Sequence, residues 1–208
     1  SIYINGAKIN YFLMKGDFKQ GLSIVPGVVD KLKEYALFVD SHRILVFNYK
    51  IAMLYFGAGN YSTAIDFLHK IINDKQPGLR NDLQCYSRLM HLLCHYEIGN
   101  EEILESLIKS VYRFMARMDN LTIVEEEIFK FLRHSAKVSA RQLKPELEKF
   151  LQKIKHLEKN RFETRSFAYL DIISWAESKV YEKPMSEIIH NKYLKNRHKK
   201  HRPKILTA

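Results

Sequence analysis

His91 and His95 stand four residues apart, with Cys94 and Glu97 close by. On a helix that spacing puts two imidazoles on one face, where they could chelate a zinc or nickel ion. Two ligands do not complete a site, and no second Cys/His pair follows at finger spacing, so packing positions are expected and no metal centre. Gly57-Ala58-Gly59-Asn60-Tyr61-Ser62 has the outline of a glycine-rich phosphate loop before a helix start. It lacks the preceding strand, the third glycine and the Lys-Ser/Thr ending, and reads as a turn. Glu125, Glu126 and Glu127 point in different directions in the first turn of a helix, where the helix dipole favours them. Asp171 and Glu177, six apart, do not share a helix face. With no Gly-x-Ser-x-Gly elbow and no Cys/His dyad, the chain carries no expected catalytic residue, cofactor or metal, and is expected not to be an enzyme.

The strongest charge signal lies between His190 and Lys204, where Lys192, Lys195, Arg197, Lys199, Lys200, Arg202 and Lys204 meet no acidic residue. Seven of the formal net charge of +11 are concentrated there. Such a stretch can neutralise phosphates of nucleic acid or an anionic lipid surface, with salt-sensitive affinity, or be a solvated terminus. Cys85 and Cys94 are separated by roughly 13 Å of helical rise, too far for an unstrained bridge. Free thiols suit a reducing cytoplasm, which is the expected location. No apolar stretch approaches the ~20 residues of a membrane span. The first residues lack a signal core, and their start without Met inside a helical pattern is expected of a segment of a longer protein.

The elements that hold these residues announce themselves by a phrase that recurs three times. Tyr11-Phe12-Leu13-Met14-Lys15-Gly16-Asp17-Phe18, Tyr55-Phe56-Gly57-Ala58-Gly59-Asn60-Tyr61 and His95-Tyr96-Glu97-Ile98-Gly99-Asn100-Glu101 each stop a helical run at Gly and restart at Asp or Asn. Gly is the left-handed C-terminal cap; Asp or Asn accepts from the first free amides of the next helix. Gly16, Gly59 and Gly99 are 43 and 40 residues apart, a period of helical hairpins. The pairs are expected at 1–14 with 17–38, 42–57 with 60–74, 81–98 with 100–118, and 122–137 with 145–158. Thr122 and Glu125 have capping-box spacing, Pro145 suits a first turn, Pro77-Gly78 separates hairpins, and Pro26-Gly27 should break the helix that contains it. Leu147, Phe150, Leu151, Ile154 and Leu157 form one apolar stripe. A packing helix over 164–181 is expected to close a repeat domain of residues 1–181, followed by a short helix and basic tail over 182–208.

Within Arg43–Asp74, Ile51-Ala52, Tyr55, Gly59-Asn60-Tyr61, Ala64, Leu68 and Ile71 fall at the spacing of a tetratricopeptide repeat, which this hairpin resembles. The first hairpin offers Gly21 at the tight site but bulky Ile9 at a small one. The third departs at Leu92, His95 and Leu104, and the period exceeds the usual 34. The chain thus resembles a divergent member with longer helices, with armadillo-like or HEAT-like pairs the near alternative. The resemblance implies an all-α, right-handed superhelix of antiparallel helix pairs, and a scaffold that binds a protein or peptide segment in a concave groove. Tyr49, Met53, Phe56, Tyr86, Leu89, Leu93 and Tyr96 would line that groove. It would be aromatic and apolar, unlike the Lys- and Asn-lined grooves that clamp acidic chaperone tails.

Overall fold

The computed structural model of the chain describes residues 2–35, 40–74 and 80–200. Among them there are helices and no strand. The first hairpin is α1 (Ile2–Lys15) against α2 (Phe18–Ser23) and α3 (Val25–Glu34). Next come α4 (Ser41–Gly57) with α5 (Tyr61–Ile72), α6 (Asn81–Ile98) with α7 (Glu101–Arg117), and α8 (Ile123–Ser135) with α9 (Ala140–Leu157). Helix α5 packs on both α4 and α6, and α2 packs on α4, so consecutive pairs stack.

The recurring punctuation has the conformation its residues demand. Gly16, Gly59 and Gly99 adopt φ of 71°, 78° and 77°, a left-handed backbone that costs an L side chain roughly 1–2 kcal/mol. Asp17 and Asn60 then accept from the amides of Gln20 and Thr63. The third turn differs, because Asn100 makes no cap bond and its Nδ2 lies 2.8 Å from His95 Nδ1. At Pro26-Gly27 the helix does break, between Ser23 and Val25, with Pro26 in the first turn of α3 where its missing N–H costs nothing. Pro77-Gly78 lies outside the described residues.

Pro145 is not at a helix start. A capping box of Ser139 and Gln142 begins α9 at Ala140, so Pro145 lies inside the helix. The segment over 164–181 is also not one helix. It divides into α10 (Thr164–Tyr169) and α11 (Ile172–Val180), because Leu170 is extended and Asp171 caps anew by accepting from Ser174 N at 2.9 Å. The final helix, α12 (Met185–Lys200), takes up much of the stretch read as a tail.

One-sided stripes bury the outer helices: Ala64, Phe67, Leu68 and Ile71 on α5, and Leu147, Phe150, Leu151 and Ile154 on α9. Each large side chain so buried contributes roughly 1.5–3 kcal/mol. Helices α4 and α6 instead bury residues around most of their circumference. Helix α4 packs against α1, α2 and α5, and α6 against α5 and α7, with Tyr169 of the C-terminal segment meeting both. Where α2 crosses α4, a Cβ on Gly21 would come within 2.5 Å of Leu54 Cδ2, so a side chain there would force Leu54 to move.

Candidate partner-binding face

The aromatic face of α4 and α6 is built, but it is occupied by the chain itself. Tyr49, Phe56, Tyr86, Leu89 and Leu93 are buried, while Met53 and Tyr96 are half-buried and pack against the same core. These five buried side chains therefore do not line an open groove. Residues 166–169 meet Tyr49 and Tyr86, while α11 packs on α9, the last helix of the fourth hairpin, and reaches Tyr96 through Trp175.

Four groups of contacts hold this C-terminal segment in place. Tyr49 Oη donates to the carbonyl of Tyr169 at 2.9 Å, and the Tyr169 ring stacks on Tyr86 with centroids 4.5 Å apart and planes within 2°. Tyr169 Oη also meets Asp82 and Arg80. The bonds that Asp82 accepts from Arg80, Tyr169 Oη and the backbone amide of Leu83 outweigh its desolvation and hold its carboxyl down at about 2. At the start of α8, Thr122 and Glu125 close their capping box. Thr122 Oγ1 also donates to Glu163 Oε2 at 2.6 Å, Val124 N donates to the same oxygen at 3.0 Å, and Tyr86 Oη donates to Glu125 Oε1 at 3.1 Å. Burial, then the Glu125 charge, raises the Tyr86 phenol far above its ordinary range, so it stays a neutral donor. Lastly, Glu97 receives Trp175 Nε1 at 2.5 Å and Lys179 Nζ at 2.6 Å, while Tyr96, Phe131 and Phe150 surround the indole edge-on.

The histidines of α6 find a third. His69 Nε2 on α5 lies 3.0 Å from His91 Nε2, and His95 Nε2 lies 3.2 Å from it. When the Asn100 amide donates to His95 Nδ1, the His95 proton sits on Nε2 and points at the His91 lone pair. The single lone pair of His91 Nε2 is thus the acceptor that faces both His95 and His69. Among the described residues no group of three or more His, Cys, Asp or Glu is arranged to hold a metal ion. Burial pushes the Cys85 and Cys94 thiols up to about 11 and 12, which leaves both poor nucleophiles.

The basic stretch is partly committed. Lys192 Nζ bonds Glu177 Oε2 at 2.7 Å and Ser174 Oγ at 2.8 Å, fastening α12 to α11. Lys195 and Arg197 are exposed on α12, Lys199 and Lys200 belong to the same helix, and Arg202 and Lys204 lie outside the described residues. The same half of α12 meets α1, where His190 Nδ1 is 3.2 Å from the carbonyl of Lys15. Among the described residues no helix is long and apolar enough to cross a membrane.

No family model, curated protein or solved structure matches the chain. Sequence reasoning missed Glu163, Ser166 and Tyr169 as site residues. Their signal was a polar residue every third position, at 163, 166 and 169, on a short segment otherwise read as apolar.

Proposed function

We propose that this protein is a non-enzymatic helical-repeat scaffold of the tetratricopeptide-like kind, acting in the cytoplasm. It holds a peptide or protein segment against the faces of its first helices. The observation that carries the reading is that this face already holds a segment in cis. Residues 163–169 meet α4, α6 and the start of α8 through side-chain bonds and one ring stack, with Phe167 and Tyr169 only half-buried against the core. A partner segment with an aromatic residue to stack on Tyr86 and an acidic residue for the amide of Val124 would satisfy the same groups.

The test uses the full chain. Tyr169→Ala removes the stack and loosens α10. A fluorescent peptide of residues 159–172 should then bind the variant saturably. Binding to the unaltered chain should be at least about tenfold weaker, because the tethered segment competes at an effective concentration in the millimolar range. A folded variant that leaves the peptide unbound would refute the assignment of this face.

A further inference from the structure

Lys50 is the anomaly of the first-helix surface. Its side chain is half-buried on α4, and among the described residues it has neither an ion pair nor a hydrogen bond. A buried ammonium without a partner is costly, and burial alone lowers its pKa. Lys50 lines a cavity of about 530 Å³ between α1 and α4, within the size range of small-molecule sites. One wall is Tyr3, Gly6, Ala7 and Asn10, a single face of α1; the other is Arg43, Val46, Phe47 and Lys50, a single face of α4.

The lining of that cavity carries more positive than negative charge. Arg43 lies over the Tyr3 ring at 4.5 Å and has no carboxylate within ion-pair distance among the described residues. Arg80 and His42 also line the cavity, and Arg80 is paired with Asp82. The one acidic lining residue, Asp40, spends Oδ1 on the amide of His42 at 3.1 Å. The segments 36–39 and 75–79 contain no Asp or Glu. Two unpaired cations beside aromatic and aliphatic walls call for a dianion attached to an apolar or aromatic body.

We propose that the α1–α4 cavity binds an organic phosphate of about nucleotide size, with Lys50 and Arg43 as partners of the phosphate and Tyr3 and Phe47 beside its aromatic portion. This site is distinct from the segment-holding face and does not depend on it. The probes are phenyl phosphate and adenosine monophosphate, with benzoate as a singly charged control, titrated calorimetrically and followed by NMR at Tyr3 and Phe47.

Both phosphates should bind more tightly than benzoate and shift the two aromatic signals. Lys50→Met should weaken them by about ten- to a hundredfold, the loss of one charge-assisted bond. The same variant should melt no lower than the unaltered chain, because it removes a half-buried, unpaired charge. Arg43→Gln provides a second variant with the same expected direction. Absence of phosphate binding at millimolar concentration, or affinity unchanged in both variants, would overturn the proposal.

Discussion

Lowering the pH should destabilise the protein through the histidine cluster before its carboxylates are protonated. Burial, and then the neighbouring His95, His69 and Arg88, lower the His91 pKa from 6.5 to about 4. His95 is lowered in the same direction by burial and by His69. Above pH 6.5 His91 is neutral whether folded or unfolded, and its contribution does not change with pH. As pH falls from 6.5 towards 4 the unfolded chain takes up a proton that the folded one refuses, so stability is lost across that window and no further below it. At 1.36 kcal/mol per pH unit the interval would amount to about 3 kcal/mol. The ring is partly exposed, and solvent screening reduces this to on the order of 1–2 kcal/mol. The structural cause is local: a proton on His91 Nε2 would replace the acceptor at 3.0 and 3.2 Å from two other Nε2 atoms. Urea denaturation at pH 7.5, 6.5, 5.5 and 4.5 measures it for the unaltered chain and His91→Gln; subtracting the two removes the carboxylate contributions. If His91→Gln loses as much stability as the unaltered chain over that window, the cluster does not resist protonation and the reasoning fails.

Trp175→Ala should cost about 3–5 kcal/mol in urea denaturation, since a buried indole ringed by Tyr96, Phe131 and Phe150 leaves a cavity and removes one of the two donors to Glu97. A loss under about 1 kcal/mol would mean that α11 is not part of the core. Gly16→Ala should destabilise more than Gly59→Ala although φ is nearly the same. A Cβ at Gly16 meets the carbonyl of Ser186 at 2.7 Å and that at Gly59 meets open space, so only the first should also raise hydrogen exchange in α12. Phe56→Ala should lower stability by about 3–5 kcal/mol, as for core phenylalanines, rather than act as a surface change. An unchanged melting point would return Phe56 to a binding role.

The helix pairs were legible because their signals are local. Glycine at 16, 59 and 99 needs a left-handed backbone, Thr122 and Glu125 close a box three residues long, and the stripe Leu147, Phe150, Leu151, Ile154 has the helical period. Each can be checked within one or two turns. What covers a face is a long-range question with no such period. Tyr49 and Tyr86 look the same in sequence whether they face solvent or Tyr169, which is 120 residues beyond Tyr49. The aromatic face of α4 and α6 was found by that reasoning, and its occupant was not. The break at Leu170-Asp171 was hidden for a related reason: Ile172, Ile173, Trp175 and Ala176 continue an apolar pattern across it, and only Asp171 marks a cap. The third histidine was hidden as well, because His69 reaches His91 from another helix.

The two halves of the returning segment should differ in how firmly they hold. Helix α11 buries Ile172, Ile173, Trp175, Ala176 and Val180, so lifting it dismantles core. Helix α10 has six residues, too few to be stable alone, and buries only Ser166 among them, with Phe162 just before it 87% exposed. Its attachment is a set of hydrogen bonds, the Tyr86–Tyr169 stack and a half-buried Phe167. Such bonds contribute about 0.5–1.5 kcal/mol each when neutral, and water can replace them on opening. Native-state hydrogen exchange should therefore show the amides of Ser166 and Leu170 opening locally at low denaturant. Those of Trp175 and Val180 should exchange only with global unfolding. Equal protection in both helices would mean that the segment is fixed as one unit, and a partner could not take the place of α10 without unfolding the scaffold that is meant to receive it.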